Sequence, residues 1–418
     1  MKVAIIGAGW AGLAAAVEAT RAGHVATVFE ASRALGGRAR GLTGRLPDGS
    51  GVTLDNGQHI LIGAYTETLR LMRLVGVDPD HALLRLPLTL LFPDGQGLKL
   101  PQWRAPLDAL AGIVAARGWR WRDKLALLRA ATLWQRQRFA CAPTSTVADL
   151  CRLLTARVVR ELIEPLCVSA LNTPMQQASG QVFLRVLRDA LFGIRGGSNL
   201  LLPRTDLGTL FPNAAAQWLE HRGARVLTGH RAQALTPEAG RWQVDGRPFE
   251  RVILACPPGE AQRLVEGSGV AAAQWLRQAR ALAFEAITTV YASSSSRLAQ
   301  PLLALRSSSS APAQFVFDRG QLGGPAGLLA FVVSASQGKR DALQQQVLVQ
   351  GRQLGLQDLR PVQTVVEKRA TFACIPGLQR PGLRIAAGLL ACGDYVEGPY
   401  PATLEGALLS SMAAVQQL

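Results

Sequence analysis

The hydrophobic and polar positions of this chain begin with a β-α-β pattern. Val3-Ala4-Ile5-Ile6 is an uninterrupted apolar run, as expected of a strand covered on both faces. A Gly-rich turn follows, then apolar residues at helical spacing over 11–22, then a second strand over 25–29 that ends in Glu30. Residues 80–200 read as mostly helical. A helix near 212–222, a strand over 225–228, a strand pair around Gln243 and Val244, and a strand over 252–255 come next. Between 267 and 360 the pattern predicts strands over 286–292, 314–317 and 328–334 and a helix over 339–354. The Ser-rich pieces 293–296 and 307–310 read as loops. A strand over 386–391 and a helix from about Thr403 close the series. No internal repeat is visible, and the alternation places the chain in the α/β class.

Composition narrows the class. With 418 residues, 48% of them hydrophobic and 18% charged, the chain can bury a large core and is long enough for two domains. No apolar run approaches the roughly 18 residues of a membrane-spanning helix. A long charge-free stretch, 320–338, is broken by Gly, Pro and Gln. The opening reads as a strand and not as a signal peptide. Six cysteines (141, 151, 167, 256, 374 and 392) form no C-x-x-C pair and no metal-like spacing with the five histidines. Reduced thiols in the cytoplasm and no metal site are therefore expected.

Charge changes the picture. The net charge is +16 and the pI about 10.7, on a chain whose mean hydropathy is +0.15. Between Lys99 and Phe139 nine basic residues face only Asp108 and Asp123, a local excess of 9 − 2 = +7. The same stretch holds Trp103, Trp119, Trp121 and Trp134, half of the eight tryptophans, with apolar residues at helical spacing. Basic, Trp-bearing amphipathic helices suit an anionic bilayer surface. The alternative is a solvated face on an Arg-rich chain. Nucleic acid is not expected as a partner, because no recognition helix, zinc motif or aromatic RNA-binding strand is present.

Candidate chemistry starts at the first turn. Gly7-Ala8-Gly9-Trp10-Ala11-Gly12 is G-x-G-x-x-G between a strand and a helix. Gly7 allows the turn, Gly9 lets a pyrophosphate approach the backbone, and Gly12 lets helix and strand pack closely. The helix start offers free N–H groups to phosphate. Glu30, eighteen residues after Gly12, can accept from a ribose diol. Val226, in the strand over 225–228, is a further candidate cofactor contact.

Ala34-Leu35-Gly36-Gly37-Arg38-Ala39 resembles the second glycine motif of the FAD-dependent amine oxidase and phytoene desaturase superfamily. Gly36 and Gly37 permit close backbone approach, and Arg38 can bind phosphate with two prongs. Arg40-Gly41 stands where the family usually has Ser or Thr. Ala391-Cys392-Gly393-Asp394 and Pro401-Ala402-Thr403-Leu404-Glu405-Gly406-Ala407 resemble the last FAD motif. The resemblance implies FAD as cofactor, with Gly393 and Asp394 near its ribityl and phosphate oxygens. Thr403 and Leu404 would start a helix aimed at the flavin ring. It also implies a Rossmann-like FAD-binding domain (1–80, 200–265 and 365–418) and a discontinuous mixed α+β substrate domain (81–199 and 266–364).

Three stretches are similar to one branch, the squalene-associated FAD-dependent desaturases that act as hydroxysqualene dehydroxylases of bacterial hopanoid biosynthesis. They are Leu54-Asp55-Asn56-Gly57-Gln58-His59-Ile60-Leu61-Ile62-Gly63-Ala64-Tyr65, Glu367-Lys368-Arg369-Ala370-Thr371-Phe372-Ala373, and Gly398-Pro399-Tyr400 running into Pro401–Ala407. Ser410-Ser411 departs from a common Ser-Gly. The resemblance implies reduction of hydroxysqualene to squalene, with water lost and hydride taken from reduced flavin. It further implies a C30 isoprenoid substrate in an apolar tunnel, and a peripheral position on the inner face of the cytoplasmic membrane. The electron donor stays open between NAD(P)H, a partner reductase and quinol. A general acid is required at the leaving hydroxyl. His59 with Asp55 is the favoured pair, and Tyr400 a further candidate beside Tyr65 and Glu405. Each also has a structural reading, as a turn cap, a satisfied imidazole or a packing ring. Polyisoprenoid desaturation and non-redox lipid binding on the same fold are the competing functions.

Overall fold

The computed structural model of the chain describes residues 1–103 and 106–418; Arg104, one of the nine basic residues counted above, lies outside them. The central element is β1 (Lys2–Ile6), in which Val3, Ala4 and Ile5 are wholly buried. An apolar run without alternation must be covered on both faces, and β1 is. It pairs in parallel with β2 (Val25–Glu30) on one side and Arg251–Leu254 on the other. Arg225–Thr228 extends the sheet beyond β2, and Leu389–Ala391 extends it beyond Arg251–Leu254. Arg384–Ala386 closes that edge antiparallel. Strand order therefore reverses at β1, and the carboxyl ends of the central strands open the crevice where such sheets take ligands.

The helix α1 (Trp10–Arg21) follows β1 directly. Ala14, Ala15, Ala16 and Val17 are fully buried, and their small volumes let α1 lie close against the C-terminal helix Leu404–Val415. Ser411 stitches the two together, its hydroxyl donating to the Ala11 carbonyl at 2.7 Å. The Ser-Ser departure thus serves helix packing.

The second sheet has five antiparallel strands in the order Leu302–Ala304, Phe315–Asp318, Leu328–Val333, Phe284–Ser293, Arg360–Phe372. The charge-free stretch 320–338 supplies Leu328–Val333, every residue of which is buried at the sheet's centre. The 13-residue strand Arg360–Phe372 was not foreseen, because it is a half-buried edge with Lys368 and Arg369 exposed and its apolar alternation is weak. It runs through the expected boundary at 365.

Three further expectations need correction. Residues 80–200 are not helical throughout: Leu83–Leu86, Thr89–Leu91 and Gly97–Lys99 are strands. The last two form a hairpin across Pro93-Asp94-Gly95, where turn chemistry overrides an apolar run that fits either period. The strand expected over 386–391 is a tight hairpin, turned at Gly388 with φ +74°. The pair around Gln243 is a three-stranded meander, Leu235–Glu238, Arg241–Val244 and Arg247–Phe249. The helices that do follow include Leu107–Ala115, Trp121–Arg136 and Gly180–Arg188, the last running into a π-helical turn, Asp189–Gly193. Among the described residues no helix is long and apolar enough to cross a membrane.

Candidate active site

The glycine turn sits at the end of β1, and its three glycines do different things. A Cβ on Gly7 would stand 2.8 Å from the Ala255 carbonyl oxygen, and one on Gly12 would stand 1.9 Å from the Gly7 oxygen. Those two are demanded by the fold itself. A Cβ on Gly9 would meet only the Gly37 Cα, at 3.9 Å, so here the missing side chain leaves open space. Gly9 caps α1 and no side chain satisfies the helix's first turn. Glu30 reaches back from β2 and accepts the Ala8 N–H at 2.7 Å and the Ser32 N–H at 2.8 Å.

The second glycine motif lies on the first. Gly36 donates to the Ala8 carbonyl at 2.9 Å, and Gly9 and Gly36 pair as a parallel bridge. The result is a side-chain-free backbone cradle at a helix N-terminus, the shape and polarity a pyrophosphate needs. Of the other predicted contacts, Trp10 turns its ring inward, donating from Nε1 to the Ala39 carbonyl at 2.9 Å and packing 5.1 Å from Phe211. Only its backbone faces the cradle end of α1. Ala11 is buried, and Val226 is half-buried opposite Val28.

Arg38 does not stand free for a two-pronged phosphate contact. It forms an ion pair with Asp394 and donates to the Ala370 carbonyl at 2.8 Å, so residues 356 positions apart meet here. Burial works against its charge, and the Asp394 carboxylate, with Glu367 and Tyr395 adding to it, more than offsets that. Gly393, at φ +145°, donates to the Ser410 hydroxyl at 2.8 Å. Thr403 caps the Leu404–Val415 helix, accepting the Gly406 N–H at 2.9 Å. The Tyr395 hydroxyl, next to Asp394, is buried without a partner, as are both amide atoms of Gln58 in the loop before His59. Buried polar groups seldom stay unpaired, so they fit a polar ligand bound in this crevice.

The expected pair of His59 and Asp55 is not formed. Asp55 is buried at the end of Gly51–Asp55, and its carboxylate accepts the Leu207 N–H at 2.8 Å. Its own backbone N–H and carbonyl both meet the Tyr291 hydroxyl, at 3.1 and 2.9 Å. Burial pushes its carboxyl up to about 6. In that position the carboxylate caps the first turn of the short helix Leu207–Leu210. His59 is half-buried, with Nδ1 2.8 Å from the Gly57 carbonyl, and burial holds its imidazole below the ordinary value. Tyr400 donates to the Asp189 carboxylate at 3.0 Å, and burial, reinforced by that bond, pushes it up to about 12.

Sequence reading passed over two residues that the structure makes central, Asn56 and Asp189, and gave a third, Glu405, another place. Asn56 clamps the second glycine motif, its amide donating to the Arg38 carbonyl at 2.6 Å and accepting the Arg40 N–H at 3.0 Å. Glu405, weighed as a flavin neighbour, instead caps the helix Thr66–Leu74, accepting from the Glu67 and Thr68 N–H groups and the Thr68 hydroxyl. Asp189, the partner of Tyr400, gave no signal because nothing local marks a π-helical turn. For Asn56 the signal was there: a polar residue directly after a buried strand, sixteen positions from the loop it holds.

A parallel sheet with a reversed strand order, two interlocked glycine motifs and a C-terminal helix capped at the same crevice define an FAD-dependent oxidoreductase. The description "Flavin containing amine oxidoreductase" matches residues 10–418, and the chain belongs to that family. Among curated relatives it is 28% identical to a hydroxysqualene dehydroxylase of Rhodopseudomonas palustris, over 99% of this chain and 97% of the relative. A hydroxysqualene dehydroxylase of Zymomonas mobilis is 26% identical, over 98% and 97%. A zeta-carotene desaturase of Synechocystis is 42% identical over only 20% of this chain and 16% of its own. Of solved structures, an oxidoreductase of Methanosarcina mazei superposes with a TM-score of 0.74 at 17% identity, covering all of both chains. That likeness shows the fold.

Proposed function

We propose that this chain reduces hydroxysqualene to squalene. The observation that carries the reading is the contrast in coverage: two relatives named hydroxysqualene dehydroxylase match almost from end to end, whereas the desaturase match stops at a fifth of the chain. FAD, once reduced, supplies the hydride, and the hydroxyl leaves as water after taking a proton. Because that hydroxyl is allylic, its loss gives a delocalised cation that hydride can quench. In this reading the Gly7–Gly12 turn, Glu30, Gly36-Gly37 and Val226 hold the cofactor, with Gly393-Asp394 and the Thr403-Leu404 helix start at its far end. Arg38 keeps Asp394 in place. The segments 1–80, 200–265 and 365–418 carry that work, less the strand that ends at Phe372, and the remainder holds the substrate. His59 moves the proton through Nε2, while Tyr400, kept protonated, offers a hydrogen bond. The substrate travels in lipid, so the reading sets the chain on an anionic membrane surface, at the inner face of the cytoplasmic membrane. NAD(P)H, a partner reductase or quinol would reduce it there.

The test is anaerobic incubation of the FAD-loaded chain with hydroxysqualene and dithionite, followed by mass analysis. The expected product is squalene, lighter by the hydroxyl oxygen. In a parallel anaerobic incubation with oxidised FAD and no dithionite, a product that keeps its oxygen and gains double bonds, with the flavin bleached, would make the chain a desaturase. Protein that stays colourless and takes up no FAD would make it a lipid carrier.

A further inference from the structure

Half of the large hydrophobic side chains left exposed among the described residues, seven of fourteen, lie between Trp103 and Leu133. That concentration is not what a solvated helical face shows. On the helix Leu107–Ala115 the inward side is Gly112 and Ile113, yet Leu107, Leu110 and Val114, one turn apart on the outer side, are apolar too. Leu107 is 58% exposed. The helix Trp121–Arg136 buries Asp123, Leu127, Ala130 and Trp134 and turns Trp121 (65% exposed) and Leu125 outward. Arg122, Arg129 and Arg136, seven residues apart and so about two turns apart, form an exposed row beside them.

The two faces are one surface. Lys124 donates to the Val114 carbonyl and lies 5.2 Å over the Trp121 ring, which joins the end of the first outer stripe to the start of the second. The four tryptophans divide accordingly: Trp119 and Trp134 are core, Trp119 donating to the buried Glu161 carboxylate at 2.9 Å, and only Trp103 and Trp121 face out. Asp123, one of the two acids of this stretch, is turned inward to the Thr155 hydroxyl and the Arg120 N–H, so the outer charge is almost wholly positive.

We propose that this helix pair is the docking face for an anionic lipid bilayer, with Leu107, Leu110, Val114, Trp121 and Leu125 entering the headgroup layer and the arginine row pairing with phosphates. A second copy of the chain is the competing occupant. A two-fold contact through this face would set arginine against arginine, which disfavours it, whereas phosphate headgroups complement the row. The proposal rests on the reading above for the membrane surface and adds the face of the chain that meets it.

The test is co-sedimentation of the full chain with phosphatidylcholine vesicles, with and without phosphatidylglycerol, beside light scattering of the free protein. Binding is expected only with phosphatidylglycerol, weakening as salt rises. Leu110→Ser with Trp121→Ser, and separately Arg122→Gln with Arg129→Gln, should each lower it about tenfold or more, at an unchanged thermal midpoint. Equal binding to both vesicle types, no binding at all, binding untouched by both variants, or a dimer dissolved by the serine variant would each overturn the proposal. Both variants should convert detergent-dispersed hydroxysqualene as the parent does. Loss of that conversion in parent and variants alike would strike the reaction and leave the docking result standing.

Discussion

A carbonyl oxygen can only accept, so the Gly57 contact puts the proton of neutral His59 on Nδ1 and leaves Nε2 bare. With its imidazole held below the ordinary value of about 6.5, His59 must take up a proton before it can give one to a leaving hydroxyl. The acid form is then present below that lowered value and is lost as pH rises through it. Turnover measured against pH should therefore fall on the way up, with a midpoint below about 6.5, and His59→Gln should abolish most turnover while keeping FAD. A profile flat across that range would end the acid role. Asp55 is not available to raise that value, since its carboxylate is spent on the Leu207 amide.

The element that decides cofactor binding is the turn between β1 and α1, and its glycines separate folding from function. Gly12→Ala would drive a methyl into the Gly7 carbonyl, so α1 must shift off the sheet; a loss of about 1–3 kcal/mol in urea unfolding is expected. Gly9→Ala meets nothing closer than 3.9 Å and should unfold like the parent without FAD, yet bind FAD about tenfold or more weakly because the cradle is filled. Equal FAD affinity in Gly9→Ala would show that the pyrophosphate lies elsewhere. At this scale the sequence was highly legible: apolar run, glycine spacing and Glu30 are local signals. The strands within 83–99 and the hairpin at 384–391 were less so, because a short apolar run fits either period and only turn residues such as Gly95 and Gly388 choose between them.

Across the whole molecule, the crevice is held by side chains that cross from one sheet to another. Arg38 links Asp394, at the end of the parallel sheet, to Ala370, in the long strand of the antiparallel one. The Tyr291 hydroxyl, from the strand Phe284–Ser293, bonds both backbone groups of Asp55, at the end of the two-stranded sheet that Gly51–Asp55 forms with Gly41–Arg45. Tyr291→Phe should leave two buried backbone groups without that partner and cost about 1–3 kcal/mol, read as a lower urea midpoint and faster FAD release. An unchanged midpoint would mean that the sheets do not depend on this tie.

What the sequence determined by itself is the FAD fold and the location of its cradle, since both follow from short-range patterns in which a glycine's missing Cβ or an apolar strand acts on its neighbours. Only the tertiary structure decided which partners the polar residues took. Asp55 went to Leu207 and not to His59, Arg38 to Asp394, Tyr400 to Asp189, and two of four clustered tryptophans to the core. Each of those choices joins residues from 42 to 356 positions apart. A hydrogen bond or ion pair over such a span leaves no periodicity in the chain, because it depends on how the elements pack and not on how they form.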